Sequence, residues 1–499
     1  MSTDSTRWSK FRSGSEIRGP EALLTDARVE KLGYAFACYL ARREGKTPDA
    51  LRLAVGRDGR PSGERLMAAV IRGITAADSD VLDCGQCPAP AVMRTLTDAP
   101  EPVDGAVMVT ASAANPGLNG FRFAAAQGGL RDDEVAAVLA LAAESEVPER
   151  LVVRCDAQAA YFENLRAVAA RCLEDDALKP LLGMRVVVDA RNAVGRAYAG
   201  FLDALGVETE GSPRVPEGGE DAVAALEDPG AVDEIARAVP ACRADMGVLF
   251  SADGSRAVIV DHDGRTVSGN RLIALVAAML LDERPGATFV TDSVTSSGLS
   301  SFIAEWGGVH YRFKRGYRNV IDEAVRLNDE GIDCPLAIET SGHAAFRENG
   351  FIDDGMYLAT RLICEALNRK REGEVLFSLI DDLKEPVESV EIRLPILDEE
   401  DPSAASQEVV EALLSHTLTD PLWQVAPDSR EGVRINFNLD GDVNNAWFQL
   451  RMSVHDPMMA LNAESDVPGG VKRILAQLYE LLRGTELVDL GPMRAAMKG

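Results

Sequence analysis

Strand-length apolar runs recur along the chain as LRLAVG, GAVMVTA, MRVVVDA, DMGVLFSA, ATFVTDS and CPLAIET. Each gives way to a polar or glycine-containing turn and then to an Ala/Leu-rich amphipathic segment. That alternation predicts α/β layers in which helices cover sheets. The longest apolar run, LIALVAAMLL from Leu272 to Leu281, predicts a buried helix, and it falls well short of the roughly 18 residues that a membrane span needs. The tail is patterned differently. GVRINFNL and NAWFQLRMSV alternate apolar and polar positions around DGDVNN, which predicts a hairpin and an α+β C-terminal part.

Breaks in the pattern at AAESEVPER, after DHDGRTVSGN, and from KREGEV to LKEPVES suggest domains at 1–150, 151–267, 268–380 and 381–499. The strand-loop-helix theme is reused three times, and the fourth unit differs. The expected fold class is therefore three similar α/β domains with mixed sheets, followed by an α+β domain. At 499 residues the chain is too long for a single core, which agrees with that division.

Composition narrows the function more than the fold. A formal net charge of −27 argues against a nucleic-acid partner, because such binding rests on phosphate neutralisation by a basic surface. A local arginine cluster can still hold a small anion against that global field. The first residues, MSTDSTRWSKFRSGS, lack the apolar core of a secretory signal. A cytoplasmic location, no membrane association and reduced thiols are the corresponding expectations. Cys84 and Cys87 form a C-x-x-C pair without a matching second pair, so a structural role is expected rather than zinc binding.

Six polar loops combine glycine or small residues with a few reactive side chains: FRSGSEIRG, VGRDGRPSGERL, TASAANPGLNG, SADGSR, ETSGHAAFREN and RMSVHDP. Arg18, Arg57, Arg60, Arg256 and Arg451 fall in them. Such loops suit phosphate, since backbone N–H groups and guanidinium forks both donate to its oxygens. Taken singly, each also reads as an ordinary turn.

In their order the six loops resemble the α-D-phosphohexomutase superfamily, the phosphoglucomutases and phosphomannomutases. EIRG, GRDGR, TAS…NG, SADGSR, ETSGH and RMSVHDP stand where that superfamily carries G-I-R-G, G-R-D-x-R, T-A-S-H-N-P, D-x-D-x-D-R, E-x-S-G-H and R-x-S-G-T-E-P. The R-x-S-x-H-D-P form resembles that of a divergent branch. The resemblance implies four domains around a central cleft and a phosphoserine at Ser112, with Arg18 and Arg122 beside it in catalysis. It further implies that Glu339, Ser341, Gly342 and His343 grip the sugar. Arg451, Ser453, His455 and Arg256 would hold phosphate, and Lys314, Arg315 and Arg318 would lie in a specificity loop.

The implied reaction interconverts a hexose 1-phosphate and a hexose 6-phosphate through a hexose bisphosphate, with hexose 1,6-bisphosphate as activator and Mg²⁺ as metal. Two departures bear on it. The histidine after the serine is Ala113, and the lysine after N-G is Arg122, whose guanidinium barely deprotonates. In the metal loop Ser251 and Ser255 flank Asp253 in place of two aspartates. Mg²⁺ prefers hard anionic oxygens, so weak metal binding is expected. A sugar-phosphate binder without turnover, or a transferase that makes hexose bisphosphate from another donor, remain alternative readings of the same loops.

Overall fold

A computed structural model describes residues 8–98, 103–112, 114, 117–147, 153–175, 177–209, 211–213, 226, 229–398, 401–453 and 456–498. The chain forms two compact units, Met1–Ser268 with Ser341–Ser378, and Gly269–Thr340 with Leu379–Gly499.

The first unit begins with a mixed sheet. Strand β1 (Glu16–Pro20) runs antiparallel to Leu118–Ala125, which is antiparallel to Gly105–Val109. Gly105–Val109 then lies parallel to Arg52–Arg57, and that strand parallel to Asp80–Gln86. We call Gly105–Val109 β2 and Leu118–Ala125 β3. Helix α1 (Asp26–Glu44) packs on one face with α2 (Gly63–Ala76). Their crossing is close enough that a Cβ on Gly73 would lie 1.9 Å from the Glu30 carbonyl oxygen.

Strand periodicity explains how this sheet exposes chemistry. Val107, Val109, Phe121, Phe123 and Ala125 join the core beneath the helices, and Phe123 lies 4.6 Å from Phe36 between ring centroids. Alternate positions face the other way, so Met108, Thr110, Gly120 and Arg122 share the opposite face. At Gly120 β1 comes so near that a Cβ would lie 2.0 Å from the Ile17 carbonyl oxygen. This is a physical reason for the glycine in the N-G step.

Farther along the first unit, β4 (Val186–Val188) is parallel to β5 (Met246–Phe250), and β5 is antiparallel to β6 (Ala257–Val260). The β5–β6 turn is the SADGSR loop. Ser251 N donates to the Arg256 carbonyl at 3.1 Å, and Gly254 sits at φ 73°.

In the second unit, the segment Leu272 to Leu281 lies inside a buried helix, Asn270–Glu283, as expected. Strands Val309–Arg312 and Leu336–Ile338 run parallel on either side of Thr288–Thr291. The C-terminal sheet is fully antiparallel, in the order Glu388–Pro395, Met458–Ser465, Ala446–Met452, Val433–Phe437, Gln424–Val425. Its hairpin pairs Val433 with Leu450 and Phe437 with Ala446, the arrangement read from the alternation. The chain is thus α/β with mixed sheets, ending in an α+β segment. No helix among the described residues is long and apolar enough to cross a membrane, and none of the eight cysteines is in a disulfide.

Candidate active site

Ser112 lies three residues beyond the end of β2. Its φ of 52° is in the left-handed region, uncommon for a residue with a Cβ and a sign of conformational strain. The residue is 2% exposed and its Oγ has no hydrogen-bond partner among the described residues. The backbone around it is tied down. Ser112 N donates to Thr110 Oγ1 at 2.8 Å, and that hydroxyl donates to Asp58 Oδ2 at 2.7 Å. Arg60 donates to the carbonyls of Ser112 at 2.9 Å, Ala114 at 2.8 Å and Leu118 at 2.9 Å. Arg60 is only 2% exposed, so this arginine clamps the loop from behind. Burial pushes the Asp58 carboxyl up to about 6, against the Thr110 hydrogen bond and the Arg60 charge that favour its ionised form.

On the same sheet face, the Arg122 guanidinium meets three carboxylates. Its Nε lies 3.3 Å from Glu16 Oε1, Nη1 3.5 Å from Asp253 Oδ2 and Nη2 3.2 Å from Asp353 Oδ2. Arg18 pairs with Glu16, and His343 Nδ1 is 2.6 Å from Asp353 Oδ2. Burial opposes ionisation of Glu16, but Arg18 and Arg122 outweigh it and lower its pKa. Asp253 is fully buried, yet Arg122 and the Ser251 and Ser255 hydrogen bonds hold its pKa down at about 2. The Arg256 strand segment bridges His343 through the backbone, which brings the ETSGH and SADGSR loops together.

The geometry of the metal loop bears directly on Mg²⁺. Asp253 Oδ1 accepts from Ser251 Oγ at 2.7 Å, Ser255 Oγ at 2.9 Å and Ser255 N at 3.2 Å, while Oδ2 faces Arg122. Two neutral hydroxyls that point their protons at one filled carboxylate do not fit Mg²⁺, whose ligands are oxygen lone pairs in near-octahedral array. Among the described residues no group of three or more His, Cys, Asp or Glu is placed to hold a metal ion.

The second unit gathers another cluster. Asp292 accepts from Thr340 N at 3.1 Å and Thr340 Oγ1 at 2.7 Å, and lies 3.9 Å from Arg315 Nε. Glu431 accepts from Arg315 N at 3.2 Å and from Ser293 Oγ, and lies 3.7 Å from Arg451 Nε. Glu339 Oε1 accepts from Gly316 N at 2.6 Å. Burial lowers the Arg451 pKa; Glu431 opposes that and the Arg315 charge adds to it. Arg315 moves upward instead, because Asp292, Glu339, Glu391 and Glu431 outweigh its burial. Glu431 is thus held by the Arg315 backbone and faced by the Arg451 side chain, and it acts electrostatically on both arginines.

The sequence-derived residues thus fall into two groups. Ser112, Arg18, Arg122, Ser251, Asp253, Ser255, Arg256, Ser341, Gly342 and His343 belong to the first unit. Glu339, Lys314, Arg315, Arg318, Arg451 and Ser453 belong to the second. Arg318 is paired with Asp322 on its own helix, Tyr317–Asp329, and Lys314 is exposed. Ser453 N donates to the Met458 carbonyl at 2.8 Å, closing the RMSVHDP turn, whose His455 lies outside the described residues. Sequence reading missed Glu16, Asp58, Asp292, Asp353 and Glu431. Its one available signal was the need of buried arginines for carboxylate partners.

Comparison with known proteins places the chain as a whole. Residues 10–148 match the family described as phosphoglucomutase/phosphomannomutase, alpha/beta/alpha domain I, and residues 268–385 match its domain III. A phosphomannomutase/phosphoglucomutase of Pseudomonas aeruginosa is 29% identical over 454 residues, 87% of this chain and 88% of that one. A phosphoglucosamine mutase of Saccharopolyspora erythraea is 30% identical over 68% of this chain and 74% of its own length. In fold the chain is similar to a phosphoglucomutase/phosphomannomutase family protein of Burkholderia thailandensis, with TM-score 0.77, 24% identity, and coverage of 98% of this chain and 100% of that one. The chain belongs to the phosphoglucomutase/phosphomannomutase family.

Proposed function

We propose that the chain interconverts a hexose 1-phosphate and a hexose 6-phosphate, with Ser112 as the phosphoryl carrier and a hexose 1,6-bisphosphate as intermediate and activator. The observation that carries this reading is the buried Ser112 Oγ, at a left-handed backbone position and without a hydrogen bond among the described residues. Strain and an unsatisfied hydroxyl cost stability, and a nucleophile that must be left uncommitted accounts for both.

In the forward half-reaction the phosphoserine O–P bond breaks and an O–P bond forms to the free sugar hydroxyl. The hydroxyl proton needs an acceptor, and Arg122 cannot serve. We assign that role to His343, whose Nδ1 is held by Asp353. In the return half-reaction Ser112 Oγ takes the other phosphoryl group, and the departing sugar oxygen regains a proton. Arg18 and Arg122 offset charge on the transferring group, and catalysis of this kind rests on positioning and electrostatics.

Arg451, with Arg315 beside it, is suited to the phosphate that does not transfer. A dianion would offset the burial and the Arg315 charge that disfavour the Arg451 cation. Ser453 and His455 are assigned to the same phosphate, and Arg256 is assigned to phosphate in the first unit. Glu339, Ser341 and Gly342 are assigned to sugar hydroxyls, and Lys314, Arg315 and Arg318 to the choice of sugar. We propose the divisions 1–150, 151–267, 268–380 and 381–499 as domains, each containing its own run of strands.

Turnover tests this reading. Purified chain, primed with glucose 1,6-bisphosphate, is expected to convert glucose 1-phosphate or mannose 1-phosphate to the 6-phosphate, and Ser112→Ala is expected to abolish conversion. Absence of 6-phosphate product across hexose and hexosamine 1-phosphates would refute it.

A further inference from the structure

We infer that the phosphoryl-transfer centre of this chain works without a divalent cation, its resident positive charge being the Arg122 guanidinium. The inference rests on the phosphohexomutase reading above and concerns the same site. Asp253 is the loop's one carboxylate, and both of its oxygens are engaged. Oδ1 collects Ser251 Oγ, Ser255 Oγ and Ser255 N, and Oδ2 faces Arg122 Nη1. A divalent ion placed on Asp253 would have to displace hydroxyl protons and sit against a guanidinium 3.5 Å from that carboxylate.

Arg122 has the attributes the ion would otherwise bring. Its charge is permanent, and each of its three nitrogens faces a different carboxylate, which fixes the plane of the group. It shares a sheet face with Thr110, whose amide pairs with the Gly120 carbonyl two positions before Arg122 on β3. Diagonal neighbours of this kind stand about 7 Å apart, and Thr110 Oγ1 holds Ser112 N. Asp253 also acts electrostatically on Glu16 and on Asp58, whose Oδ2 accepts from Thr110 Oγ1. Relative to the motifs it resembles, the chain thus loses two ligand carboxylates at 251 and 255 while keeping a positive charge at 122, as a guanidinium. The transfer balances without metal. The sugar O–P bond of the bisphosphate breaks, Ser112 Oγ–P forms, and the serine proton ends on the released sugar oxygen.

Intact-mass spectrometry of the full chain tests this. The chain is incubated with glucose 1,6-bisphosphate in excess EDTA and, in parallel, with Mg²⁺, using Ser112→Ala as the blank. The expected result is one phosphoryl group on Ser112, gained at the same rate in both arms. Labelling only with Mg²⁺ would overturn the inference and leave the mutase reading standing; no labelling in either arm would overturn both. Arg122→Met is expected to slow labelling on the order of 10³-fold, with no rescue by Mg²⁺ and partial recovery in Arg122→Lys. Undiminished labelling of folded Arg122→Met would also overturn it. The wild-type chelation arm decides the matter independently of whether that variant folds.

Discussion

Arg122 and Arg451 are both buried strand arginines, 7% and 4% exposed, yet their electrostatic surroundings differ. Arg122 faces Glu16, Asp253 and Asp353, so its cluster is rich in negative charge. Arg451 has Glu431 at 3.7 Å and must share it with Arg315, so burial prevails and its pKa falls. A guanidinium saturated with carboxylates is a fixed fitting that neutralises its neighbours. One short of them gains most from an incoming dianion. On the proposed reading, the contrast separates a centre that passes a phosphoryl group from a site that grips one.

Four perturbations probe that contrast. The largest effect is expected at Ser112: the alanine variant should lose turnover to background, and residual mutase activity would move the carrier elsewhere. Next, Arg122→Met removes the charge shared by three buried carboxylates, leaving Glu16 with Arg18, Asp353 with His343 and Asp253 with neutral donors, which is expected to cost about 3–5 kcal/mol in stability. Denaturant melts should show Arg122→Lys in between; an unaltered midpoint for the methionine variant would show that the cluster is not held by this charge.

A smaller, differently shaped effect is expected at Arg451. Loss of a charge-assisted phosphate contact should raise KM by roughly ten- to a hundredfold while kcat changes much less. A fall in kcat at constant KM would instead place Arg451 among the groups that act on the transition state.

The smallest effects are in pH dependence, and they have opposite signs. Asp253 is held at about 2 in the folded chain, below its unfolded value, so its contribution is complete above about pH 4 and is lost as pH falls toward 2. Asp58 is raised to about 6, so the folded state holds its proton more tightly. Its contribution is complete below about pH 4 and is lost as pH rises toward 6. Each is worth on the order of 2 kcal/mol. Asp253→Asn and Asp58→Asn should each flatten the slope of unfolding free energy in its own window; matching slopes in one direction would contradict the assigned causes.

The loops were legible in the sequence because chemistry is concentrated in short contiguous stretches such as TAS, SADGSR and ETSGH. In the fold, the two-residue strand period sends Phe121 and Phe123 into the core and Arg122 to the other face. What escaped were the partners. Glu16, Asp253 and Asp353 converge on Arg122 from three distant segments, and only the folded topology brings them there. Arg60 shows the same limit from the other side. Its loop suggested phosphate, whereas its donors serve the carbonyls of Ser112, Ala114 and Leu118, a use no local pattern announces. Ser251 and Ser255 were visible as departures. That they hydrogen-bond to Asp253 and close the metal position was not.

The most direct measurement compares binding with turnover in two variants. The hexose 1-phosphate that wild type converts fastest is titrated calorimetrically into Ser112→Ala and Arg451→Ala, with product formation followed in parallel. The expected result is wild-type affinity without turnover for Ser112→Ala, and weakened affinity with surviving turnover at saturation for Arg451→Ala. Equal loss of affinity in both, or turnover by Ser112→Ala, would contradict the division between a transferring centre and a gripping one.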